Sequence, residues 1–259
     1  MKVVLLAGGT GTRLMEETRV CPKPLVTIGG MPIIWHIMKT YSAYGHNDFV
    51  ICAGYRQHQI KRWFSDYFMS RADVTFDLTG PEPVVEVHAS RCEPWRVTVI
   101  DTGCDTLTGD RLRTVRDYVD DETFMLTYAD GVSDVDLDAL IGFHRKMGRT
   151  ATITCVRRLQ SKGLIHLSEE GLVQEFREKD PADNDLINAG YMVLEPEVFD
   201  YLEPDCGPLE RDPMERLIAA GQLAAYEHKG FWQCMDTLQE RTFLEGLVHE
   251  GRAPWIRWD

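Results

Sequence analysis

Short apolar segments that alternate with helical segments restrict the fold of this sequence more than any other feature. Val3–Ala7 is five apolar residues long and is followed by glycine, a pattern typical of a strand buried on both faces. The same reasoning predicts further strands at residues 49–53, 97–100, 124–127 and 152–156. Apolar residues at helical spacing predict helices at residues 33–44, 60–67 and 137–147. The alternation predicts an α/β fold with a mostly parallel, Rossmann-like sheet in a three-layer α/β/α sandwich.

The second half of the chain has a different pattern. Residues 164–167 and 172–178 predict a hairpin that turns at residues 169–171. Later strands are predicted at 191–194 and 223–227, and later helices at 197–201, 213–220 and 238–250. Residues 81–96, with two closely spaced prolines and weak periodicity, predict an irregular excursion or a small hairpin. Because the sequence contains no linker-like tract and no repeat, we expect one compact domain whose second half adds a smaller β-rich lobe.

Composition limits the classes of partner. The chain has 259 residues and a formal net charge of -13 at pH 7, and an acidic surface argues against general binding to nucleic acid or anionic membranes. Any phosphate site must then be built locally. The run Val3–Ala7 is too short for a secretory or membrane-spanning segment, and the seven scattered cysteines form no Cys-x-x-Cys pair. We therefore expect a cytoplasmic protein with reduced thiols.

A glycine-rich segment follows the first predicted strand. Gly8, Gly9 and Gly11 precede Arg13. Glycine lets the backbone approach an anion closely, so that exposed N–H groups can bind phosphate oxygens. Two common phosphate-binding motifs do not fit, because the chain has no Gly-Lys dipeptide for a Walker loop and has Leu14 at the third glycine position of a dinucleotide fingerprint. The segment predicts a phosphate-binding loop of a different kind.

Lys23 lies between Pro22 and Pro24, shortly after this loop. Flanking prolines stiffen the backbone, so the long cationic side chain would be held in one place. The alternative is a solvated lysine in a turn, and residue type alone favours this alternative.

These two segments together resemble a family signature. Residues 5–14 followed by residues 22–25 are similar to the signature of the sugar-1-phosphate nucleotidyltransferases, and the similarity extends over essentially the whole chain. Segments typical of the branch that uses CTP and glucose 1-phosphate are residues 33–38, 93–95, 101–103, 108–112, 231–237 and 253–255. The resemblance implies one nucleotidyltransferase domain over residues 1–259. Its nucleotide-binding half would span about 1–150, and its sugar-binding half, with the C-terminal helix, about 151–259.

The resemblance also implies which residues bind the nucleotide. The implied set is Leu6, Ala7, Gly8, Gly9, Thr10, Gly11, Thr12, Arg13, Lys23, Thr102, Gly103, Thr106, Arg111, Ala129 and Asp130. Arg13 would bind the departing pyrophosphate and Lys23 would stabilise the α-phosphate, so these two are the implied catalytic residues. Thr106 and Arg111 would contact the base, with a surface cation as the alternative for Arg111. Sequence alone leaves open whether cytosine or uracil is preferred.

Two aspartates are implied to bind metal. Asp130 follows a predicted strand, and Asp236 lies far along the chain. Carboxylates from distant segments can hold one Mg²⁺ ion together with phosphate oxygens. Residue type alone favours a turn or a helix cap for each aspartate, and the resemblance reverses that interpretation. Asp134, Asp136 and Asp138 are interpreted as a cap cluster at a helix N-terminus.

The sugar-phosphate side is implied to contain Gly163, Glu178, Lys179 and Asn188. Lys179 would hold the sugar phosphate, and Glu178 and Asn188 would bind sugar hydroxyl groups. The chain departs from the usual residues of the branch at Ala129, Leu164, Asp180 and Ala189. Ala129 could crowd the ribose or a phosphate, and the other three lie on the sugar side. The sugar is therefore less well specified than the chemistry.

Together with these features, the family resemblance implies a Mg²⁺-dependent enzyme that transfers a nucleotidyl group from CTP to a sugar 1-phosphate, above all α-D-glucose 1-phosphate. UTP or dTTP, or a different phosphorylated acceptor, are the alternatives. A non-catalytic scaffold would lack the charged site residues, and a dehydrogenase would need the missing third glycine. The expected partners are the nucleoside triphosphate and the sugar 1-phosphate, without nucleic acid or membrane. The family resemblance implies a homo-oligomer, and the aromatic tail at residues 255–258 is expected to pack against another surface.

Overall fold

The computed structural model describes residues 1–157, 164–167, 173–177 and 186–258. In chain order, the strands of these residues are β1 (Val3–Ala7), β2 (Thr27–Ile28), β3 (Met31–Pro32), β4 (Asp48–Ala53), β5 (Ala72–Asp77), β6 (Val84–Ser90), β7 (Arg96–Asp101), β8 (Phe124–Tyr128), β9 (Gly131–Ser133), β10 (Ala151–Arg157), β11 (Leu164–Leu167), β12 (Val173–Arg177), β13 (Leu186–Leu194), β14 (Leu223–His228) and β15 (Trp232–Cys234). The α-helices are α1 (Met15–Thr18), α2 (Ile33–Ala43), α3 (Gln57–Ser70), α4 (Thr108–Thr114), α5 (Leu137–Met147), α6 (Asp212–Ala219) and α7 (Leu238–His249). Short 3-10 helices span Thr12–Leu14, Lys23–Leu25, Arg116–Tyr118 and Pro196–Tyr201.

Seven of these strands form the central sheet, in the order β14-β10-β13-β8-β1-β4-β7. The pairs β1–β4, β1–β8, β4–β7 and β10–β14 are parallel, whereas β13 runs antiparallel to both β8 and β10. The predicted mostly parallel sheet is confirmed, with β13 as the exception. Ala7, Ala53 and Tyr128 end neighbouring parallel strands at one edge. Ligands of open α/β sheets bind at this carboxyl edge.

The residues of β1 alternate between two apolar cores, one on each face of the sheet. Val3 and Leu5 pack in a core with α2, α5 and α7, and Val4 packs in a second core with α4 and α6. All five side chains of β1 are buried, and burial of a Val or Leu side chain contributes roughly 1.5–3 kcal/mol. A strand covered on both faces needs a continuous apolar run, which explains why the predicted and observed bounds of β1 agree.

Most other predicted elements are confirmed with small changes in their bounds. α5 begins and ends where predicted, and the helices α2, α3, α6 and α7 and the strands β4, β7, β8, β10 and β14 differ at either end by three residues or fewer. The predicted second-half hairpin is the antiparallel pair β11–β12, and its turn lies outside the described residues. The helix predicted at 197–201 is a 3-10 helix, and β13 begins before the predicted strand and contains Asn188.

A second hairpin, β5 with β6, corrects the sequence prediction. Of the two alternatives for residues 81–96, a hairpin is found, but its first strand is β5, in a segment with no predicted strand. Val74 pairs with Val87 and Phe76 with Val85, which places their side chains on one face. Both strands are exposed over most of their length. Neither therefore shows the continuous apolar run that identifies a buried strand.

The three aspartates around the N-terminus of α5 do not form one cap cluster. Asp136 is the N-cap, because its Oδ1 accepts a hydrogen bond from a backbone N–H of the first turn at 2.9 Å. Asp138 lies in that first turn, where negative charge is favourable. Asp134 instead accepts a hydrogen bond from the backbone N–H of Phe231 at 2.7 Å and lies 2.9 Å from His228 Nε2. The prediction for Asp134 is wrong because its partners lie far away in sequence.

The C-terminal tail packs on the chain itself. The side chain of Trp255 is 0% exposed, stacks on Phe231 with ring centroids 5.5 Å apart and meets His36 edge-on. Trp258 meets Trp35 in a T-shaped contact at 5.8 Å. Intramolecular packing therefore accounts for the aromatic tail, which gives no support to the predicted oligomer.

None of the seven cysteines, all of which lie in the described residues, is paired in a disulfide. Burial raises the pKa of the Cys52 thiol to about 12, so this thiol stays protonated and unreactive at neutral pH. Within the same residues, no helix is both long enough and apolar enough to cross a membrane.

Candidate active site

A cavity of about 510 Å³ opens at the carboxyl edge of the sheet. It is lined by residues 6–13, by Lys23 and Pro24, by residues 104–108 with Arg111, by residues 128–130, and by Pro208, Glu210 and Asp236. All of the predicted nucleotide-binding residues line this cavity except Thr102 and Gly103. The predicted metal-binding residues, Asp130 and Asp236, line it as well.

The glycine-rich segment after β1 depends on Gly11 for its shape. Gly11 has a φ of 66°, and a Cβ at this position would lie 2.7 Å from Cγ2 of Thr18. Glycine is therefore the residue that fits here. The hydroxyl of Thr18 donates a hydrogen bond to the Gly11 carbonyl at 3.0 Å. Gly9 and Thr10 are exposed, so this part of the loop backbone is accessible to a ligand in the cavity.

Lys23 stands between two carboxylates at the cavity wall. Its Nζ lies 2.7 Å from Asp130 Oδ2 and 2.5 Å from Asp236 Oδ1. Arg13 Nη1 lies 2.8 Å from the other oxygen of Asp236, Oδ2. The side chain of Lys23 is 11% exposed and that of Arg13 is 73% exposed. The 3-10 helix that begins at Lys23, with Pro22 before it, fixes the backbone. The structure thus brings together residues from distant parts of the sequence, namely Arg13, Lys23, Asp130 and Asp236.

The charges in this cluster stabilise one another. Burial works against the charged form of Lys23, but the attraction and hydrogen bonds of Asp130 and Asp236 outweigh it and raise the pKa of Lys23. Burial also works against the Asp236 carboxylate, but the hydrogen bond and charge of Lys23, together with Arg13, lower its pKa overall. Lys23 is therefore a cation and Asp236 an anion at neutral pH.

Glu240 orients Asp236 and was not among the predicted site residues. Oε2 of Glu240 accepts hydrogen bonds from the backbone N–H groups of Asp236 at 2.8 Å and Thr237 at 3.0 Å. Thr237 Oγ1 accepts a hydrogen bond from the backbone N–H of Glu240 at 3.2 Å, which completes a capping box at the start of α7. The Thr-x-x-Glu pattern that begins at Thr237 is the sequence signal for this motif.

Replacing Glu240 with alanine should therefore affect both stability and activity. We expect a loss of roughly 0.5–2 kcal/mol in the free energy of unfolding, as for a lost cap, and a fall in kcat of about tenfold because Asp236 loses its alignment. Thermal unfolding and steady-state kinetics would measure both. Glu240→Gln, whose side-chain oxygen still accepts hydrogen bonds, is the control and should retain most activity. Unchanged kcat in Glu240→Ala would rule out the positioning role.

A second wall of the cavity is formed by residues 104–108 and by a loop that contains Pro208 and Glu210. Thr108 Oγ1 donates to Glu210 Oε2 at 2.8 Å and accepts from a backbone N–H of the same loop at 2.8 Å. The carboxylate of Asp110 accepts hydrogen bonds from the backbone N–H groups of residues 206 and 207. This loop was not predicted as part of the site, because it carries no motif and lies far from residues 104–108 in sequence.

Arg111 is buried, with 3% exposure, which excludes the surface-cation alternative. Its Nη1 donates hydrogen bonds to the hydroxyl of Thr102 and the carbonyl of Gly103, both at 2.7 Å. The Thr102 hydroxyl in turn donates to the carbonyl of Ala53 at 2.8 Å. Thr102 and Gly103 lie behind the wall and are not among the described residues that line the cavity. Thr106, the other predicted base contact, does line it.

Ala129 and Asn188 differ in their position relative to the cavity. Ala129 is buried and lines the cavity. Asn188 is exposed on β13, where its Oδ1 accepts a hydrogen bond from the backbone N–H of Gly190 at 2.8 Å, and it does not belong to the described lining of the cavity. The other three sugar-side residues, Gly163, Glu178 and Lys179, lie outside the described residues.

The two aspartates of the cluster provide a donor set that fits a divalent cation. Asp130 Oδ2 and Asp236 Oδ1 both lie within 2.7 Å of the same ammonium nitrogen, so two carboxylate oxygens from distant segments reach one point. Hard cations such as Mg²⁺ prefer oxygen ligands of this kind. Cys234, Asp236 and Glu240 also have ligand atoms within 4.8 Å of one another, but the carboxylate of Glu240 already accepts the capping hydrogen bonds. Asp130 with Asp236 is therefore the better candidate.

A glycine-rich loop, two cations and paired aspartates at the carboxyl edge of a parallel sheet are suited to transfer chemistry on a nucleoside triphosphate. The nucleotidyl transferase family model matches residues 2–239, and the chain belongs to this family. A glucose-1-phosphate cytidylyltransferase of Salmonella typhi is 49% identical over 260 residues, covering 100% of both chains. A Bacillus subtilis protein named probable glucose-1-phosphate cytidylyltransferase is 40% identical over 259 residues, again covering 100% of both. HddC from Yersinia pseudotuberculosis has the same fold, with a TM-score of 0.70 and 19% identity over 95% of this chain and 99% of its own.

Proposed function

We propose that this protein transfers a cytidylyl group from CTP to α-D-glucose 1-phosphate, giving CDP-glucose and pyrophosphate. The observation that carries the transfer chemistry is the convergence of Arg13 and Lys23 with two aspartates beside the glycine-rich loop. The choice of CTP and glucose 1-phosphate is supported by the full-length similarity to the Salmonella typhi glucose-1-phosphate cytidylyltransferase at 49% identity.

The sugar phosphate supplies its own nucleophile. A phosphate oxygen of glucose 1-phosphate attacks the α-phosphorus of CTP, in line with the bond to the β-phosphate. A new P–O bond forms while the bond to the bridging oxygen breaks, and the electron pair of that bond leaves with pyrophosphate. Because the attacking oxygen is already anionic, no general base is needed. Catalysis then consists of positioning and charge stabilisation.

The surroundings of the two cations support different proposed roles. Lys23, held on a rigid backbone and largely buried, stabilises the α-phosphate as negative charge increases there. Arg13, which is largely exposed, binds the departing pyrophosphate. The backbone of residues 8–12 lies along the same cavity and binds phosphate oxygens through its N–H groups.

The metal is the third part of the proposal. Enzymes of this family generally use a divalent metal ion, and we propose Mg²⁺. Asp130 and Asp236 would hold it, since their oxygens already reach one point. When bound, the ion supplies positive charge against the triphosphate and the developing charge at phosphorus.

The base and the sugar are assigned to different halves of the chain. Thr106 is the proposed direct base contact in the nucleotide-binding half, about residues 1–150. The proposed sugar-phosphate residues in the second half, about residues 151–259, are Gly163, Glu178, Lys179 and Asn188. We propose these halves as a functional division within one domain, because strands of both belong to one sheet.

Assembly and location complete the proposal. We propose that the protein is a homo-oligomer in the cytoplasm. Assembly is supported by the apolar side chains that the β5–β6 hairpin exposes, among them Phe76, Val84 and Val85. Size-exclusion chromatography with light scattering is expected to give a multiple of the 29.6 kDa chain mass. A monomer at micromolar concentration would contradict the assembly.

A substrate matrix tests the proposed reaction. CTP, UTP, dTTP, ATP and GTP are each combined with glucose 1-phosphate and other sugar 1-phosphates, and pyrophosphate release is measured. We expect the highest kcat/KM for CTP with glucose 1-phosphate. A preference for UTP or dTTP would overturn the base assignment but not the chemistry, and no release from any pair would overturn the proposed function. Asp236→Asn protein, purified identically, controls for contaminating activity.

A further inference from the structure

The guanidinium of Arg111 is surrounded by the backbone of three separate segments. Nη2 donates hydrogen bonds to the carbonyls of Gly8 at 3.1 Å and Cys104 at 3.0 Å. Nη1 donates to the carbonyl of Gly103 and the hydroxyl of Thr102, and lies 3.4 Å from the carbonyl of Ala53. A guanidinium has four N–H bonds on its terminal nitrogens, and acceptors within the described residues use all of them. Among the described residues no acceptor is paired with the N–H of Nε, which is therefore left for a ligand.

Two glycines are required by this arrangement. A Cβ at Gly8 would lie 2.0 Å from Nη1 of Arg111, and a Cβ at Gly54 would lie 2.6 Å from the same atom. Gly8 belongs to the phosphate loop, and Gly54 follows the end of β4. The absence of a side chain at Gly8 therefore makes room for Arg111, in addition to any role in approaching phosphate. The position of the loop and the position of the guanidinium depend on each other.

We propose that Arg111 is a positioning residue, whose hydrogen bonds fix the phosphate loop at Gly8 against the base-side wall at Gly103 and Cys104. This inference rests on the proposed function. It assigns to Arg111 an effect on phosphate binding that a residue contacting only the base would not have. A side chain that reads the base affects only ligands that carry a base. A side chain that fixes Gly8 also affects ligands that consist of phosphate alone.

Binding of inorganic pyrophosphate separates these two roles. Dissociation constants for pyrophosphate and for CTP, each with Mg²⁺, are measured by calorimetry for wild type and Arg111→Lys. We expect both constants to increase by the same factor, about tenfold, which corresponds to about 1.4 kcal/mol. Weaker CTP binding with unchanged pyrophosphate binding would overturn the proposal. Wild type that binds CTP but not pyrophosphate would overturn it as well.

Two further variants keep the test decisive if Arg111→Lys folds poorly. Thr102→Val removes one acceptor of Arg111 at a buried position outside the cavity lining, and it should weaken pyrophosphate binding about threefold, or about 0.65 kcal/mol. Arg113→Lys, at an exposed position of the same helix α4, should leave both constants unchanged. A lower Tm in Thr102→Val without a change in pyrophosphate binding would indicate a purely structural role and overturn the proposal. Because the pyrophosphate measurement needs no turnover and no base, it does not depend on which sugar or base the enzyme uses.

The ion pairs of Lys23 carry a second inference independently. Lys23 and Arg13 together contact three carboxylate oxygens of the proposed metal ligands, namely Asp130 Oδ2 and both oxygens of Asp236. We infer that Lys23 competes with the divalent ion for these oxygens, so that the enzyme without nucleotide binds the ion weakly. A triphosphate that attracts Lys23 would free the carboxylates, and the ion would then bind together with the nucleotide. This inference also rests on the proposed function.

Binding of Mn²⁺ to the nucleotide-free enzyme tests this competition. The concentration of free Mn²⁺ is followed by electron paramagnetic resonance for wild type, Lys23→Met, and the double variant Lys23→Met with Asp236→Asn. We expect Lys23→Met to bind Mn²⁺ at least about tenfold more tightly than wild type, and the double variant to lose this gain. Lys2→Met is the matched control, because Lys2 pairs with Asp120 at 2.9 Å outside the cavity.

The outcomes separate the inference from the metal site itself. Equal affinities of wild type and Lys23→Met, with weaker binding in Asp236→Asn, would overturn the competition and leave the proposed metal site intact. No Mn²⁺ binding by Lys23→Met would overturn the inference too. Circular dichroism confirms that each variant is folded, and Lys23→Gln provides a second replacement if the methionine variant is not.

Discussion

Lys23→Ala is expected to lower kcat/KM for nucleotidyl transfer by about 10²–10³-fold, by analogy with the loss of one fixed charge-stabilising group. Nζ of Lys23 lies 2.7 and 2.5 Å from the two carboxylates of the proposed metal site. It is therefore close to the place where the α-phosphate gains negative charge. Losing such a group typically removes about 2.7–4 kcal/mol of transition-state stabilisation. Steady-state pyrophosphate release with CTP and glucose 1-phosphate would measure the effect.

The fold should survive this substitution, because Lys23 belongs to neither apolar core. Circular dichroism and thermal unfolding would verify that the variant is folded. Lys2→Ala is a suitable control, since it removes a lysine whose ion pair with Asp120 lies away from the cavity. Its kinetics should match wild type. Wild-type turnover in folded Lys23→Ala protein would eliminate Lys23 as a catalytic residue.

The fold could be predicted from the sequence wherever a strand is covered on both faces. Val3–Ala7 is such a strand, and its continuous apolar run fixed its bounds. The hairpin of β5 and β6 could not be recognised in this way, because its side chains are mostly exposed and carry no burial pattern. The start of β13 was missed for a related reason, since Leu186 and Asn188 are exposed.

In the candidate site too, some contacts could be predicted from the sequence and others could not. The loop and Lys23 lie within contiguous motifs, so the sequence was sufficient to predict that they would be near one another. Glu240 had a readable capping signal, but its contact with the backbone of Asp236 depends on how α7 begins. The burial of Arg111 and the wall at Glu210 arise from contacts between segments that are distant in sequence. A motif reports which residue types are present, and only the packing reports which of their N–H groups and oxygens are still available to a ligand.

Trp255→Ala is expected to lower the free energy of unfolding by about 3–5 kcal/mol, the usual range for truncating a buried tryptophan. The indole of Trp255 is fully buried, stacks on Phe231 and donates toward Nδ1 of His36 at 3.4 Å. Truncation leaves a cavity at the point where the tail closes over α2. For a chain of this size the Tm should fall by roughly 6–20 °C. Urea and thermal unfolding followed by circular dichroism would measure the loss.

Trp258→Ala is the matched control, because Trp258 lies in the same tail but is only half-buried against Trp35. We expect this substitution to lower the free energy of unfolding by about 1.5 kcal/mol or less. If both variants unfolded like wild type while the oligomeric mass fell, the tail would serve an interface and not the core.

Phe231 directly precedes β15, the strand that leads to Asp236. Losing its stacking partner should therefore lower kcat as well, at temperatures far below the new Tm. A large stability loss with unchanged kcat would mean that the capping box at Glu240 alone holds Asp236 in position.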